Sequence, residues 1–179
     1  MVNNDLEKIL FTEEQIKHRI KELGEQITKD YAGKKLLLLG VLKGCYVFLA
    51  DLARNIDLDV EIQFLTASSY GFSSVSSGKV NVNKAIDFVT EGKDIILIED
   101  ILDTGVTLTA LHAMVVKQKP RSLKTCTLLD KPERREMPYS ADYTGFTCPN
   151  EFVVGYGLDY AEKYRNLPYV AVLKKEVYA

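Results

Sequence analysis

The feature that most constrains the fold is a run of four apolar residues, 95–98, which shows no alternation and leads directly into Glu99 and Asp100. An apolar run without polar interruptions is typical of a strand buried on both faces of a parallel sheet. The two carboxylates then come at the carboxyl end of that strand, which is the edge where open α/β sheets hold their ligands. The sequence therefore predicts an α/β fold with a binding site at this edge.

A turn rich in small and hydroxyl residues follows this strand. Gly105 permits a close backbone approach, and Thr104 and Thr107 supply hydroxyl groups. We expect Asp103 to cap the helix that follows, because aspartate is a favoured N-cap residue. The free backbone N–H groups at the start of such a helix favour an anion. The turn is therefore suited to a phosphate group.

Three carboxylates, from Glu99, Asp100 and Asp103, lie beside this turn and would repel a phosphate on their own. The conflict disappears if they face another part of the ligand, or if a divalent cation lies between. Mg²⁺ is commonly held by one or two carboxylates together with substrate phosphates, and carboxylates also accept hydrogen bonds from ribose hydroxyls. A phosphorylated sugar with Mg²⁺ satisfies every group. The alternative is that these residues only end a strand and begin a helix.

Composition favours one domain over residues 1–179, because a chain of this length with 46% hydrophobic residues can bury a substantial core. The net charge of −2 argues against a nucleic-acid partner. Cys45, Cys126 and Cys148 show no metal-like spacing, and their odd number fits reduced thiols. No apolar run approaches the ~20 residues that span a bilayer, and the amino terminus is polar. We therefore expect a cytoplasmic protein that binds small ligands and no membrane.

The remaining pattern alternates strands with helices. Thr12 and Gln15 form a capping box at the start of a helix. Strands are expected at 36–42, 60–66, 123–129 and 152–154, with a helix at 46–52. The Ser- and Gly-rich stretch 67–79 is typical of a mobile loop. This order predicts a mostly parallel sheet covered by helices on both faces.

Other segments carry side chains suited to the same ligand. Lys43 and Gly44 follow a predicted buried strand, and Lys131 follows another. Further on, Phe152 offers a ring for stacking and Arg165 a guanidinium fork for phosphate oxygens. For each there is a simpler alternative: a solvated lysine beside a turn, a surface lysine, or a core phenylalanine.

The whole pattern resembles a known family. Two apolar residues, Glu-Asp, two apolar residues, Asp-Thr-Gly and then Thr-Leu resemble the phosphoribosyl-diphosphate signature of the type I phosphoribosyltransferases. Leu-Lys-Gly, Ser-Ser-Tyr-Gly, Asp-Lys-Pro and Phe-Val-Val-Gly-Tyr-Gly-Leu-Asp-Tyr follow the order of the hypoxanthine-guanine phosphoribosyltransferase family, over residues 36–165. The resemblance implies the type I fold, with a mostly parallel sheet flanked by helices, a small hood formed by the chain ends and a mobile lid loop.

The resemblance also implies a reaction. A 6-oxopurine and phosphoribosyl diphosphate, with Mg²⁺, would give a purine nucleoside monophosphate and diphosphate in purine salvage. Hypoxanthine ranks first as the base, guanine second and xanthine a distant third. Relatives pair as homodimers or homotetramers, and the same is expected here. The alternatives left open are a phosphoribosyl-diphosphate-sensing regulator without catalysis, a xanthine-preferring relative, and a relative that acts on adenine or a pyrimidine.

Roles follow from position in the matched motifs. Asp103 would hold the proton at purine N7, and the 5′-phosphate would lie in the turn formed by Asp103, Thr104, Gly105, Val106 and Thr107. Val106 stands where several relatives have a polar residue, so its side chain would make no phosphate contact. Glu99 and Asp100 would bind the ribose hydroxyls and Mg²⁺.

The residues for the diphosphate, the purine base, a second metal ion and the lid are assigned in the same way. Lys43, Gly44 and Arg165 would bind diphosphate. Lys131 would donate to the purine 6-oxo group, Phe152 would stack on the ring, and Val153 and Asp159 would read its edge. Asp159 would also bind a second Mg²⁺, and Ser69 and Tyr70 would close the lid.

Overall fold

The computed structural model describes residues 2–69, 80–82 and 88–179. In chain order the strands are β1 Leu6–Phe11, β2 Leu36–Leu42, β3 Val60–Ser69, β4 Val80–Val82, β5 Asp94–Leu102, β6 Ser122–Asp130, β7 Tyr143–Thr147, β8 Val153–Val154 and β9 Val170–Leu173. The α-helices are α1 Glu13–Asp30, α2 Tyr46–Arg54, α3 Val106–Val116 and α4 Lys175–Tyr178. Short 3-10 helices lie at Val2–Asp5 and Pro132–Arg134.

The central sheet determines where a ligand can bind. Within the described ranges its strand order is β4-β3-β2-β5-β6-β7, and all neighbours are parallel except β4, which runs antiparallel to β3. The chain builds outward from β2 to β3 on one side and from β5 to β6 and β7 on the other. The carboxyl ends of β2 and β5 therefore flank a topological switch point, where open α/β sheets bind their ligands.

The two faces of this sheet pack into separate apolar clusters. Leu38 of β2 and Ile96 of β5 lie in one cluster with residues of α1 and α2, whereas Leu37 and Leu39 lie in another with residues of α3. Successive side chains of a strand point to opposite faces, so a strand covered on both sides must be apolar throughout. The predicted parallel sheet with helices on both faces is confirmed.

A second, smaller sheet forms a hood from segments near the two ends of the chain. β9 lies between β1 and β8 and is antiparallel to both. The hood is not a separate unit, because Val153, Val170 and Val172 belong to the same apolar cluster as α1 and α2. Because this sheet is built from segments near both ends of the chain, the predicted hood is confirmed.

Several elements differ from the sequence-based expectations. Strands β1, β7 and β9 were not predicted. The expectation that 67–69 belong to a loop is wrong, because Ala67, Ser68 and Ser69 continue β3 and pair with β4. Tyr70, which was expected to close a lid with Ser69, lies outside the described residues, as does the rest of that stretch up to residue 79.

The helix predictions hold at α1. The Gln15 backbone N–H donates to Thr12 Oγ1 at 3.3 Å, and the Thr12 backbone N–H donates to Gln15 Oε1 at 2.8 Å, which is the expected capping box.

None of the helices in the described ranges has the length and apolarity that a bilayer span requires.

Candidate active site

A cleft of about 490 Å³ opens at the switch point between β2 and β5. It brings together side chains that are far apart in the chain, from the ends of both strands, the start of α3 and the hood. Its lining consists of Val41, Leu42, Lys43, Gly44, Thr66, Glu99, Asp100, Thr107, Asp159, Glu162 and Arg165. Seven of the predicted site residues are thus in one place: Lys43, Gly44, Glu99, Asp100, Thr107, Asp159 and Arg165.

Gly44 forms the closest packing in the cleft. A Cβ atom at Gly44 would overlap the Asp100 carboxylate, and a Cβ atom at Gly157 would overlap the Gly44 carbonyl oxygen. Gly157 also has φ +100°, in the left-handed region that favours glycine. The Gly44 backbone therefore packs directly against the Asp100 side chain of β5 and against the backbone of Gly157.

Two adjacent acids end β5 in a buried environment. Burial raises the pKa of Glu99 well above its usual range, and the neighbouring Asp100 carboxylate raises it further. Burial likewise raises the pKa of Asp100, although the Ile101 N–H donates to its Oδ1 at 2.8 Å and opposes that shift. The Oε2 atom of Glu99 is buried and has no hydrogen-bond partner. A cation or a sugar hydroxyl would satisfy this pair.

The donor set fits Mg²⁺ shared with a substrate. In the described part of the chain, no group of three or more acidic, histidine or cysteine side chains forms a complete metal site. Mg²⁺ commonly takes only one or two protein carboxylates and completes its shell with water and phosphate oxygens. The unpartnered oxygen of Glu99 and the adjacent Asp100 carboxylate are suited to that arrangement.

The turn after β5 begins α3 with a left-handed glycine. Gly105, at φ +83°, is the N-cap residue, and Val106 is the first residue of the helix. The expectation that Asp103 caps this helix is wrong, because Asp103 lies two residues before the cap. Instead, the Val106 N–H donates to Thr104 Oγ1 at 3.3 Å. The turn still directs backbone N–H groups at an open helix terminus, as phosphate binding requires.

The carboxylate of Asp103 is about one-third exposed and faces a cation. Its Oδ1 atom lies 3.3 Å from Arg134 Nε, in an ion pair. This same oxygen is buried and makes no hydrogen bond. Asp103 does not line the cleft described above, nor do Thr104, Gly105 and Val106.

Arg135 is a residue that sequence reasoning missed. Its guanidinium donates to the Leu102 carbonyl at 3.1 Å and to the Asp103 carbonyl at 2.6 Å, and it pairs with the Asp130 carboxylate. It therefore joins the turn after β5 to the end of β6. The only hint in the sequence is the pair of arginines that follows Asp-Lys-Pro, and charged loop residues of this kind usually face solvent.

The predicted purine residues lie at the neighbouring strand ends. Lys131 is buried, and its Nζ donates to the Glu151 carbonyl at 2.7 Å. Phe152 is 36% exposed and stacks on Tyr178 at a centroid distance of 4.6 Å. Phe152 is therefore not a core residue. Lys131, Phe152 and Val153 are not part of the cleft lining.

Several charged side chains line the hood side of the cleft and contact one another. Arg165 Nη2 lies 2.9 Å from Asp159 Oδ1 and 3.4 Å from Glu162 Oε2, and its Nη1 donates to the Gly157 carbonyl at 2.8 Å. Lys43 Nζ lies 3.1 Å from Glu162 Oε1. Glu162 was not predicted, because nothing in its local sequence distinguishes it from a solvated glutamate.

Comparison with known families agrees with this geometry. The family model described as the phosphoribosyl transferase domain matches residues 8–161. The fold and the cleft at the switch point are thus those of a phosphoribosyltransferase.

Individual relatives show which phosphoribosyltransferase family the chain is most similar to. The chain is 54% identical over 178 residues to the hypoxanthine-guanine phosphoribosyltransferase of Streptococcus thermophilus, with 99% of each chain covered. It is 52% identical to the protein of that name from Streptococcus agalactiae, covering 100% of this chain and 99% of the relative. A crystal structure of a hypoxanthine phosphoribosyltransferase from Staphylococcus aureus is similar at a TM-score of 0.95 and 49% identity, covering 99% of this chain and 97% of that one. The chain belongs to the hypoxanthine-guanine phosphoribosyltransferase family.

Proposed function

We propose that this enzyme transfers the 5-phosphoribosyl group of phosphoribosyl diphosphate to hypoxanthine, and to guanine, in purine salvage. The products are IMP or GMP and diphosphate. The observation that carries the proposal is the meeting, in one cleft, of a buried carboxylate pair from β5 with two cations from the β2 turn and the hood. Such a cleft can hold a sugar and a diphosphate at the same time.

The diphosphate end of the substrate is assigned to Lys43, Gly44 and Arg165. Both cations line the cleft, and Gly44 lets the β2 backbone approach closely. Arg165 Nε is buried without a hydrogen-bond partner, so it retains a free donor for an anion. Charge neutralisation at this end favours departure of diphosphate from the sugar.

The ribose lies, in this proposal, against Glu99 and Asp100, whose oxygens accept from its hydroxyls. Glu99 and Asp100 would hold one Mg²⁺ and Asp159 a second, and the bound ions would supply further neutralisation of the leaving diphosphate. The 5′-phosphate is assigned to the turn from Asp103 to Thr107, where Thr107 lines the cleft and Gly105 opens α3. Val106 contributes its backbone N–H, which donates to Thr104 Oγ1 in the free enzyme and would turn to the phosphate when it binds.

The base is assigned to the strand ends beside this turn. Lys131 donates to the 6-oxo group, Phe152 stacks on the ring, and the backbone of Val153 and Asp159 reads its far edge. A lysine donor suits a carbonyl and opposes an exocyclic amine, which favours 6-oxopurines over adenine. Asp103 holds the N7 proton of the base as the new bond forms.

Three parts of the proposal concern the enzyme as a whole. Ser69 and Tyr70 close over the bound substrates. The active form is a homodimer or homotetramer. The enzyme works in the cytoplasm, and the three free, buried cysteines fit that reducing compartment.

The base preference is tested by measuring diphosphate release with each nucleobase in turn. We expect turnover with hypoxanthine and guanine, weak turnover with xanthine and none with adenine or a pyrimidine. A chain that binds phosphoribosyl diphosphate but releases no diphosphate with any 6-oxopurine would instead be a sensor.

The role of Asp103 gives the first mutational prediction. Asp103→Asn should lower kcat by about 10²-fold or more, because a general acid–base group contributes about 10²- to 10⁴-fold. The KM for phosphoribosyl diphosphate should change little, since the amide keeps the size of the side chain. Asp59→Asn, an exposed acid before β3, is the matched control. An equal loss of binding and turnover would assign Asp103 a structural role.

A further inference from the structure

Glu162 lies between the two cations that were assigned to diphosphate. Both of its carboxylate oxygens are 3.1 Å from Lys43 Nζ, and Oε2 is 3.4 Å from Arg165 Nη2. A carboxylate that bridges a lysine and an arginine makes the contacts that a phosphate group would make with the same pair. Glu162 also lines the cleft, so it lies where an anionic ligand must enter.

The backbone conformation of the turn positions Glu162 beside the cleft. Ala161 and Glu162 have φ of +50° and +62°, a left-handed conformation that is uncommon for residues other than glycine. The Glu162 N–H donates to Asp159 Oδ2 at 2.9 Å, which ties the turn to another residue of the cleft. Sparsely populated backbone conformations of this kind cluster at functional sites. The turn therefore places Glu162 at the cleft, opposite Lys43.

We propose that the Glu162 carboxylate is an internal counter-anion of the diphosphate subsite. It neutralises Lys43 and Arg165 in the free enzyme, is displaced when phosphoribosyl diphosphate binds, and competes with diphosphate after transfer. Glu162 thereby weakens product binding and speeds diphosphate release. This inference rests on the proposed function, and in particular on the assignment of Lys43 and Arg165 to diphosphate.

The exposure of the pair makes such displacement easy. The side chains of Lys43 and Glu162 are 68% and 65% exposed, and ion pairs at that exposure stabilise a fold little. Moving Glu162 aside therefore costs little stability. Its effect on a ligand is larger, because diphosphate carries several negative charges and each is repelled by the Glu162 carboxylate, which stays on the same turn after displacement.

The experiment compares Glu162→Gln with the parent enzyme. Glutamine keeps the size of the side chain and the same backbone preference, and it removes only the charge. We expect the inhibition constant for diphosphate to fall about threefold or more, because loss of one repulsive charge is only partly screened at this range. The rate at which bound diphosphate leaves should fall with it. Glu25→Gln, an exposed acid on α1, is the control of equal charge change.

The outcomes separate this inference from the proposed function. Unchanged or weaker diphosphate inhibition in Glu162→Gln would overturn the counter-anion role and leave the subsite in place. Lys43→Gln should weaken diphosphate inhibition, and Glu162→Gln should then have a smaller effect in that background. If Lys43→Gln left diphosphate inhibition unchanged, the diphosphate subsite itself would be wrong, and the inference would fall with it.

Discussion

At the scale of single residues, the cleft depends on contacts that allow no side chain at all. The backbone of Gly44 lies against the Asp100 carboxylate on one side and Gly157 on the other. Each of these residues belongs to a different part of the fold, namely the β2 turn, β5 and the hood. Gly44 therefore packs closely against two other parts of the fold beside the cleft.

Gly44→Ala tests this packing. The added methyl group would overlap Asp100, so we expect the free energy of unfolding to fall by about 2 kcal/mol or more, together with most of the activity. Urea unfolding measures the loss of stability, and the steady-state rate of diphosphate formation with hypoxanthine measures the loss of activity. Gly33→Ala is the control, because Gly33 has φ +73° but no neighbour near a Cβ atom. It should cost about 1 kcal/mol through backbone strain alone, and equal costs at the two positions would contradict the packing argument.

The cleft residues that could be predicted from the sequence are those that come directly after a buried strand or lie in a matched motif. Lys43, Glu99, Asp100 and Asp159 are of this kind, and all line the cleft. Glu162 and Arg135 were not predictable. Their positions depend on how two loops fold against distant segments, and charged residues in loops carry no periodic pattern.

At the scale of elements, the central strands could be predicted closely, because burial on both faces forces an uninterrupted apolar run. The expected bounds of β2 match those observed, and those of β6 differ by one residue at each end. The strands β1 and β7 have partly exposed residues, and β7 contains Gly145. Their sequences therefore resemble loops, and only pairing with distant partners makes them strands.

A hydrogen-bond network around the buried Asp94 carboxylate, at the other end of the sheet, ties β5 to β6. The Asp94 carboxylate accepts from Arg121 Nε at 2.9 Å and from Ser122 Oγ at 2.5 Å. Burial by itself raises the pKa of Asp94, but these two donors outweigh burial and lower the pKa below its ordinary value of 3.8. A lowered pKa in the folded state means that the stabilisation is present above the ordinary value and is lost as the pH falls through the folded value.

Asp94→Asn should therefore destabilise the protein in a pH-dependent way. At neutral pH we expect a loss of about 1.5–3 kcal/mol, the range for hydrogen bonds to charged groups. The loss should become smaller as the pH falls below 3.8 and through the lower folded value, since the parent carboxyl is itself becoming protonated there. Urea unfolding at neutral pH and at a pH below 3.8, with Asp59→Asn as control, measures the difference. A loss of equal size at both would show that the charge of Asp94 is not what stabilises the strands.

At the scale of the whole molecule, the hood and the central sheet share one apolar cluster. Val153 and Val172 of the hood pack in the cluster that contains residues of α1 and α2. The Tyr156 hydroxyl also donates to the Asp51 carboxylate of α2. The hood therefore contributes to the stability of the whole chain, as well as carrying residues of the cleft.

Val172→Ala tests this coupling. Removing buried methyl groups should lower the free energy of unfolding by about 1–3 kcal/mol, and calorimetry should show one transition shifted as a whole to lower temperature. Val89→Ala, at a residue that is 67% exposed, should leave the transition where it is. Two separate transitions in the Val172 variant would indicate a hood that unfolds independently.

The pairing of β1 with β9 has a consequence for biosynthesis. Leu6 pairs with Leu173, so β1 finds its partner strand only after the strands of the central sheet, from β2 to β7, have been made. Until then β1 is an unpaired strand edge, a kind of surface that favours aggregation. The hood also brings Asp159 and Arg165 to the cleft. A nascent chain thus has every strand of its central sheet before it can complete the hood that carries Asp159 and Arg165.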